Sequence, residues 1–133
     1  MVNDMLGDSI TRLYNASVSR KKEAELLYSK EVVNLLEVLK KNNFIGEYKV
    51  VNIEDSVFSV IKVVLIYDEK GNPKINSVKR ISKPGCRIYC GHKDVKKVLR
   101  GRGVGVYSTS LGVLSDKEAY LKGVGGEYWC EIW

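Results

Sequence analysis

The chain has 133 residues, 44% of them hydrophobic, and a formal net charge of +6. That size and composition are enough to bury a core, which excludes intrinsic disorder, and no apolar run approaches the roughly 20 residues a membrane span needs. Asp4 and Asp8 break the first stretch, so no secretory leader is expected.

In chain order, Asp4 to Val18 puts Leu6, Ile10, Leu13 and Ser17 on one stripe, with Asn3 as a candidate N-cap and Asp4 and Asp8 near the positive end of the dipole. This predicts a first helix. After the basic cluster Arg20-Lys21-Lys22, Ala24 to Tyr28 reads as a short strand. Ser29 then caps a second helix, in which Val32, Leu35, Leu36 and Leu39 recur at helical spacing and Lys40, Lys41 and Asn42 close the negative end. Beyond Gly46 the pattern changes to strands, Tyr48 to Ile53 and Val57 to Tyr67, separated by the turn-like Glu54-Asp55-Ser56. The second is nearly continuous in Val and Ile, which predicts a central position. Glu69-Lys70-Gly71-Asn72-Pro73 is the clearest break, and it divides an N-terminal α/β module, residues 1–69, from a C-terminal β-rich module, residues 70–133. The joint is short, so the two modules are expected to pack on each other.

Past the break, Ile75 to Ile81 reads as a strand. The turn Ser82-Lys83-Pro84-Gly85, a strand from Cys86 to Cys90 and a basic connection from Gly91 to Gly103 follow. Pro84 suits the second position of a turn, and Gly85 the next, where φ can be positive. Val104, Val106 and Ser108 alternate in another strand. Ser115-Asp116-Lys117-Glu118 is a capping-box pattern that opens a helix of one to two turns, ending at Lys122 and Gly123. Glu127 to Trp133 alternates again, with Tyr128, Cys130 and Ile132 on one face. The expected fold is α+β, with an α-β-α-β-β N-terminal half and a mainly β C-terminal half carrying one short helix.

The charge is unevenly placed. Between Lys70 and Arg102 stand eleven basic residues and one acid, Asp94, whereas the rest of the chain holds 11 Lys and Arg against 15 Asp and Glu. Such local excess is the footprint of a face that meets polyanions. The window contains Tyr89, glycines and turn residues rather than a hydrophobic stripe, so it favours nucleic acid over a membrane surface.

Three cysteines, an odd number, argue for free thiols in a reducing compartment. Cys86, Cys90, His92 and Cys130 could in principle hold zinc. In an extended strand, however, the Cys86 and Cys90 sulfurs lie roughly 13 Å apart at about 3.3 Å per residue, too far for one ion with bonds near 2.3 Å. Buried core cysteines are expected instead, with no metal site and no cofactor. Catalysis is equally unsupported, because His92, the one histidine, sits in a basic connection and no carboxylate pair stands out. Gly101-Arg102-Gly103-Val104-Gly105 runs into a strand rather than opening a helix, so it reads as tight-turn glycines and not a nucleotide loop. No enzyme activity is expected.

Three segments look purposeful together. Lys79-Arg80-Ile81-Ser82-Lys83-Pro84-Gly85 joins cations to a rigid turn that can present them to phosphates. Ser108-Thr109-Ser110 places small hydroxyls at a strand end, where they can bond ribose 2′-hydroxyls and base edges. Gly123-Val124-Gly125-Gly126-Glu127 admits close backbone approach, and Glu127 can accept from a base amino group.

These segments, with Ser115-Asp116-x-Glu118-Ala119 and a terminal Trp133, occur in the order and spacing that resembles family eight of the small-subunit ribosomal proteins, in its bacterial form. Asp4, Asp8, Thr11-Arg12, Asn15-Ala16 and Ser29-Lys30 agree, so the resemblance spans the chain. It implies two small α/β modules that bind the central domain of small-subunit rRNA early in assembly and touch neighbouring ribosomal proteins. It also implies binding to an mRNA of its own operon that mimics the rRNA site. By position, the main RNA contacts would fall on Ser108, Thr109, Ser110, Gly125, Gly126 and Glu127, with Lys83, Pro84, Gly85 and Arg87 nearby. The implied location is a ribosome, in the cytoplasm of a bacterium or in an organelle. The alternative role is a free-standing RNA-binding or translational regulatory protein. The chain departs from the family pattern at Leu111, where Lys or Arg is usual, at Tyr14 for Arg, at Lys96 for Pro, and at Arg102 for an apolar residue. These swaps redistribute the cations and suggest a fast-evolving lineage such as an organelle or a reduced genome.

Overall fold

The computed structural model describes residues 4–52 and 59–133. It divides into two units, Met1–Asn76 and Ser77–Trp133. The first runs α1 (Met5–Val18), β1 (Glu23–Leu27), α2 (Lys30–Lys41), β2 (Ile45–Asn52) and β3 (Ser59–Leu65), the expected α-β-α-β-β order. Asp4 caps α1, where Asn3 was expected, and its carboxylate accepts from the Gly7 amide at 3.1 Å. Asn3 itself lies outside the described residues, as do Glu54, Asp55 and Ser56. Ser29 stands at the N-cap of α2 without a capping bond from its hydroxyl, so this helix rests on its buried stripe, Val32, Leu35, Leu36 and Leu39. Its far end closes in a Schellman motif: Asn43 turns left-handed at φ 63°, and the Phe44 amide reaches back to the Leu39 carbonyl at 2.9 Å.

The sheet order is β1-β3-β2, all antiparallel, and the Val/Ile-rich β3 is central as its composition predicts. Strand β2 starts at Ile45 rather than Tyr48. Gly46, taken from sequence as punctuation, sits inside it where the register shifts between Ile45 and Tyr48.

The second unit holds β4 (Val78–Arg80), β5 (Tyr89–Cys90), β6 (Val104–Thr109), β7 (Gly112–Ser115), α3 (Asp116–Lys122) and β8 (Gly126–Ile132). It is mainly β with one short helix, as expected. Its sheet runs β4-β8-β6-β7, with β5 also paired to β8. Two strand expectations are corrected and one strand is new. The segment from Ile75 to Ile81 contributes only Val78–Arg80, and that from Cys86 to Cys90 only Tyr89–Cys90, because Cys86 pairs back with Lys83 to close a turn. Strand β7 was not expected from sequence. The capping box on α3 forms as read, with Ser115 Oγ accepting from the Glu118 amide at 3.2 Å and Gly123 left-handed at φ 68°.

A bulge sets the two faces of this sheet. Val106 lies opposite Cys130 and Tyr107 opposite Tyr128, so Trp129 is an extra residue on β8. Tyr128 therefore shares a side with Tyr107, not with Cys130 and Ile132 as alternation alone implies. The two rings stack at 4.3 Å and 11°, over Val95, Leu114 and Ala119. Val104, Val106, Cys130 and Ile132 are buried on the other side. The basic connection between β5 and β6 forms two short 3-10 turns, His92–Asp94 and Val98–Gly101, and the buried Asp116 carboxylate holds the second by accepting from the Val98 amide at 3.1 Å.

Close backbone approach tightens β8 against its neighbours. A Cβ on Gly126 would stand 2.1 Å from the Ser108 carbonyl oxygen. Gly126→Ala is therefore expected to cost about 3 kcal/mol or more, the top of the usual overpacking range, as measured by urea denaturation at neutral pH. Burial also pushes the Cys130 thiol and the Tyr107 phenol up to about 12 from their ordinary 9.0 and 10.0. Both neutral forms are favoured by folding, so their contribution is complete below the unfolded values and is lost as pH rises towards the folded ones. Stability should fall above about pH 9, by up to about 1.4 kcal/mol per pH unit per group. Denaturation between pH 7.5 and 10.5 checks this, and Cys130→Ala should flatten the decline.

Candidate nucleic-acid interface

One edge of β8 is paired by a single run of chain that leaves it and returns. Ser82 N donates to the Tyr128 carbonyl at 3.0 Å, and Tyr128 N donates to the Ile88 carbonyl at 3.0 Å. Between these points Lys83, Pro84, Gly85, Cys86 and Arg87 are extruded, all exposed. The protrusion closes on itself by paired bonds between Lys83 and Cys86 at 3.1 and 3.0 Å. Pro84 and Gly85 take its two central positions, Pro84 supplying the fixed φ that a turn needs there. Contrary to expectation, Gly85 does not take a positive φ, so the turn uses backbone angles open to ordinary residues. Lys79 and Arg80 enter this run from β4, and Arg80 Nε donates to the Ser82 carbonyl.

The base of the protrusion is locked from inside. Ser82 is fully buried; its hydroxyl donates to Glu127 Oε2 at 2.6 Å and accepts from the Ile88 amide at 3.1 Å. The same Glu127 oxygen accepts from Arg87 Nη1 at 3.0 Å, while Oε1 accepts from Trp129 Nε1 at 3.3 Å. Burial alone would raise the Glu127 pKa. The bonds from Ser82, Arg87 and Trp129, with the Arg87 charge, outweigh it and hold the carboxyl below its ordinary value.

The hydroxyl segment forms the tip of the β6–β7 hairpin. Thr109 pairs with Gly112 across Ser110 and Leu111, and Gly112 takes φ +111°. Thr109 Oγ1 is spent internally, accepting from the Leu111 amide at 3.1 Å and donating to the Gly112 carbonyl at 2.7 Å. Ser110 is exposed and Ser108 half-buried. The strand register then brings the segments together: Tyr89, Glu127 and Ser108 lie directly opposite one another across three strands, with Cys90, Gly126 and Thr109 in the next row. Paired residues share a face. One end of one sheet thus gathers the basic protrusion, the hydroxyls and the glycines.

Two details were hidden from sequence reasoning. The backbone that approaches Gly125 and Gly126 is the protein's own: a Cβ on Gly125 would lie 2.1 Å from the Cys90 carbonyl oxygen. Tyr89, never singled out as a site residue, is 70% exposed at one end of the row, on β5. An aromatic residue amid so many cations was the signal that could have found it. Lys93, Lys96, Lys97 and Arg102 are exposed as well but lie elsewhere, Lys96 and Lys97 beside α3 and Arg102 before the far end of β6, whereas Leu111, 58% exposed, leaves the hairpin tip uncharged.

Cys130 is buried and Cys90 half-buried, but Cys86 is exposed on the protrusion, which corrects the expectation of core cysteines throughout. Among the described residues no cluster of three or more His, Cys, Asp or Glu side chains could hold a metal ion. Nor, among them, is any helix long and apolar enough to cross a membrane.

Comparison with known proteins finds relatives over the whole length of the chain. Residues 4–133 match the family model described as Ribosomal protein S8. The chain is similar to small ribosomal subunit protein uS8 of Helicobacter pylori (strain Shi470), 49% identical over 133 residues and 100% of both chains. The proteins of the same name from Helicobacter acinonychis and Campylobacter lari are 48% and 47% identical, again over 100% of both chains. A match of this extent shows that the chain belongs to the ribosomal protein S8 family.

Proposed function

We propose that the protein is a structural constituent of the small ribosomal subunit that binds the central domain of small-subunit rRNA and helps its assembly. One observation carries this reading: the register of β5, β8 and β6 aligns Tyr89, Glu127 and Ser108 beside the exposed Lys83–Arg87 protrusion. Cations there neutralise phosphates, an aromatic face stacks on a base, and hydroxyls read ribose and base edges. The bacterial relatives named as small-subunit proteins support it, and they favour a bacterial ribosome as the location.

Affinity and selectivity then come from different residues. Lys79, Arg80, Lys83 and Arg87 supply phosphate contacts; Ser108, Ser110 and Tyr89 meet the nucleotides, while Pro84, Gly85, Thr109, Gly125, Gly126 and Glu127 hold the surface in shape. The target is an irregular RNA fold, because the deep major groove of a regular RNA duplex does not admit side chains. Neighbouring ribosomal proteins are its other partners in the particle. An operon mRNA that copies the rRNA fold would compete for the same residues.

Binding to a central-domain rRNA fragment at several ionic strengths, beside a scrambled control, tests the proposal; equal affinity for the two refutes it. Lys83→Ala should weaken both RNAs alike and reduce the slope of log affinity against log salt by about 0.7 to 0.9. By contrast, Ser110→Ala and Tyr89→Ala should each cost roughly 1 to 3 kcal/mol on the cognate fragment, with little effect on the control.

A further inference from the structure

Glu127 is a carboxylate in the middle of a surface whose business is with phosphates. Like charge beside an RNA backbone repels it, so the acid needs a reason to be there. Its side chain is only 18% exposed, and both oxygens are occupied from within the chain, Oε2 by Ser82 and Arg87 and Oε1 by Trp129. That leaves little capacity to meet a base. What the carboxylate does hold is the two ends of the protrusion. It binds Ser82 at the start, whose hydroxyl in turn fixes the Ile88 amide, and it binds Arg87 at the finish. Within the protrusion the paired Lys83–Cys86 bonds close the turn but do not tie it to the sheet.

From this geometry we infer that Glu127 is a positioning residue that sets RNA specificity: it clamps the Lys83–Arg87 protrusion in one shape and offsets the charge of Arg87. The inference rests on the RNA-binding role proposed above. Two consequences follow from the two halves of the clamp. A fixed protrusion loses less freedom on binding an RNA that fits it, which favours the cognate fold. An offset Arg87 is a weaker magnet for arbitrary polyanions, which disfavours everything else. The charge half and the shape half are separable, because Ser82 carries the shape without carrying charge.

The full-length protein is compared with Glu127→Gln, Ser82→Ala and Ser82→Thr. Each is tested on the central-domain rRNA fragment and on polyuridylate across several salt concentrations. Amide hydrogen exchange of the free proteins reports on Cys86 and Ile88, whose amides are bonded to the Lys83 carbonyl and the Ser82 hydroxyl, and thermal melting reports on the fold as a whole. Glu127→Gln should tighten polyuridylate binding about two- to fivefold at low salt and steepen its salt slope by about 0.7, as one cation is released. It should weaken the cognate fragment, so that the ratio of the two affinities falls about tenfold, and speed exchange at the Cys86 and Ile88 amides. Ser82→Ala should speed exchange and weaken the cognate fragment without touching polyuridylate, and Ser82→Thr, which keeps the hydroxyl, should restore both.

A cognate loss in Glu127→Gln with unchanged exchange and unchanged polyuridylate binding would mean that the carboxylate touches the RNA directly, and would overturn the inference. So would a Ser82→Ala protein whose protrusion stays as protected as the wild type. Wild-type protein that prefers no RNA would instead sink the underlying function, while the exchange and polyuridylate results would still report on the clamp.

Discussion

Strand β8 is paired along both edges, by β6 on one side and on the other by a run of chain that departs at Ser82 and rejoins at Ile88. The rest of the second unit follows from that arrangement. Pairing satisfies the backbone groups of a strand whose side chains Trp129, Cys130 and Ile132 are buried, where an unmade hydrogen bond would be costly. It also requires neighbours to come within reach of a strand end that carries Gly125 and Gly126, where any Cβ would collide with carbonyl oxygens. The surplus residues between the two pairing points have no ladder to join. They become the protrusion, and its order depends on the side chains of Ser82 and Glu127.

The bulge at Trp129 divides labour between the two sides of the sheet. On one, Tyr107 and Tyr128 stack beneath α3 and make a rigid back wall. On the other, the end nearest Val104 and Ile132 is apolar and buried, while the end nearest Ser108 and Glu127 is polar and partly open. The candidate interface is thus the continuation of a packed core rather than a loop attached to it. Groups that must meet a nucleic acid in fixed geometry gain from such a support, since little freedom remains to be lost on contact.

Periodicity and capping carried most of the architecture. Both long helices, the central place of β3, and the α3 cap and stop were readable because each depends on residues close together in the chain. Failures arose where partners far apart decide. The stretch Cys86 to Cys90 alternates like a strand, yet Cys86 and Arg87 are pulled away by the Lys83–Cys86 turn and by the anchoring of Ser82 to Glu127, 45 positions distant. Alternation likewise put Tyr128 with Cys130, and only the register against β6 reveals the extra residue between them. At the site, the charged and hydroxyl segments were legible from composition and from the family resemblance. Tyr89 was not, because its prominence comes from exposure, and the inward duty of Glu127 was not, because its hydrogen bonds reach across the fold.

Gly125 and Gly126 carry a consequence for how such a protein changes over generations. Every amino-acid replacement open to a glycine codon by one nucleotide change adds a side-chain carbon, and at these two sites that carbon has nowhere to go. The exposed side chains around them meet no such steric bar, as Leu111 at the hairpin tip illustrates. Descent can therefore rewrite the electrostatic fringe of the surface while the seam beneath it stays fixed, so that lineages come to differ in how tightly they hold a ligand before they differ in its shape.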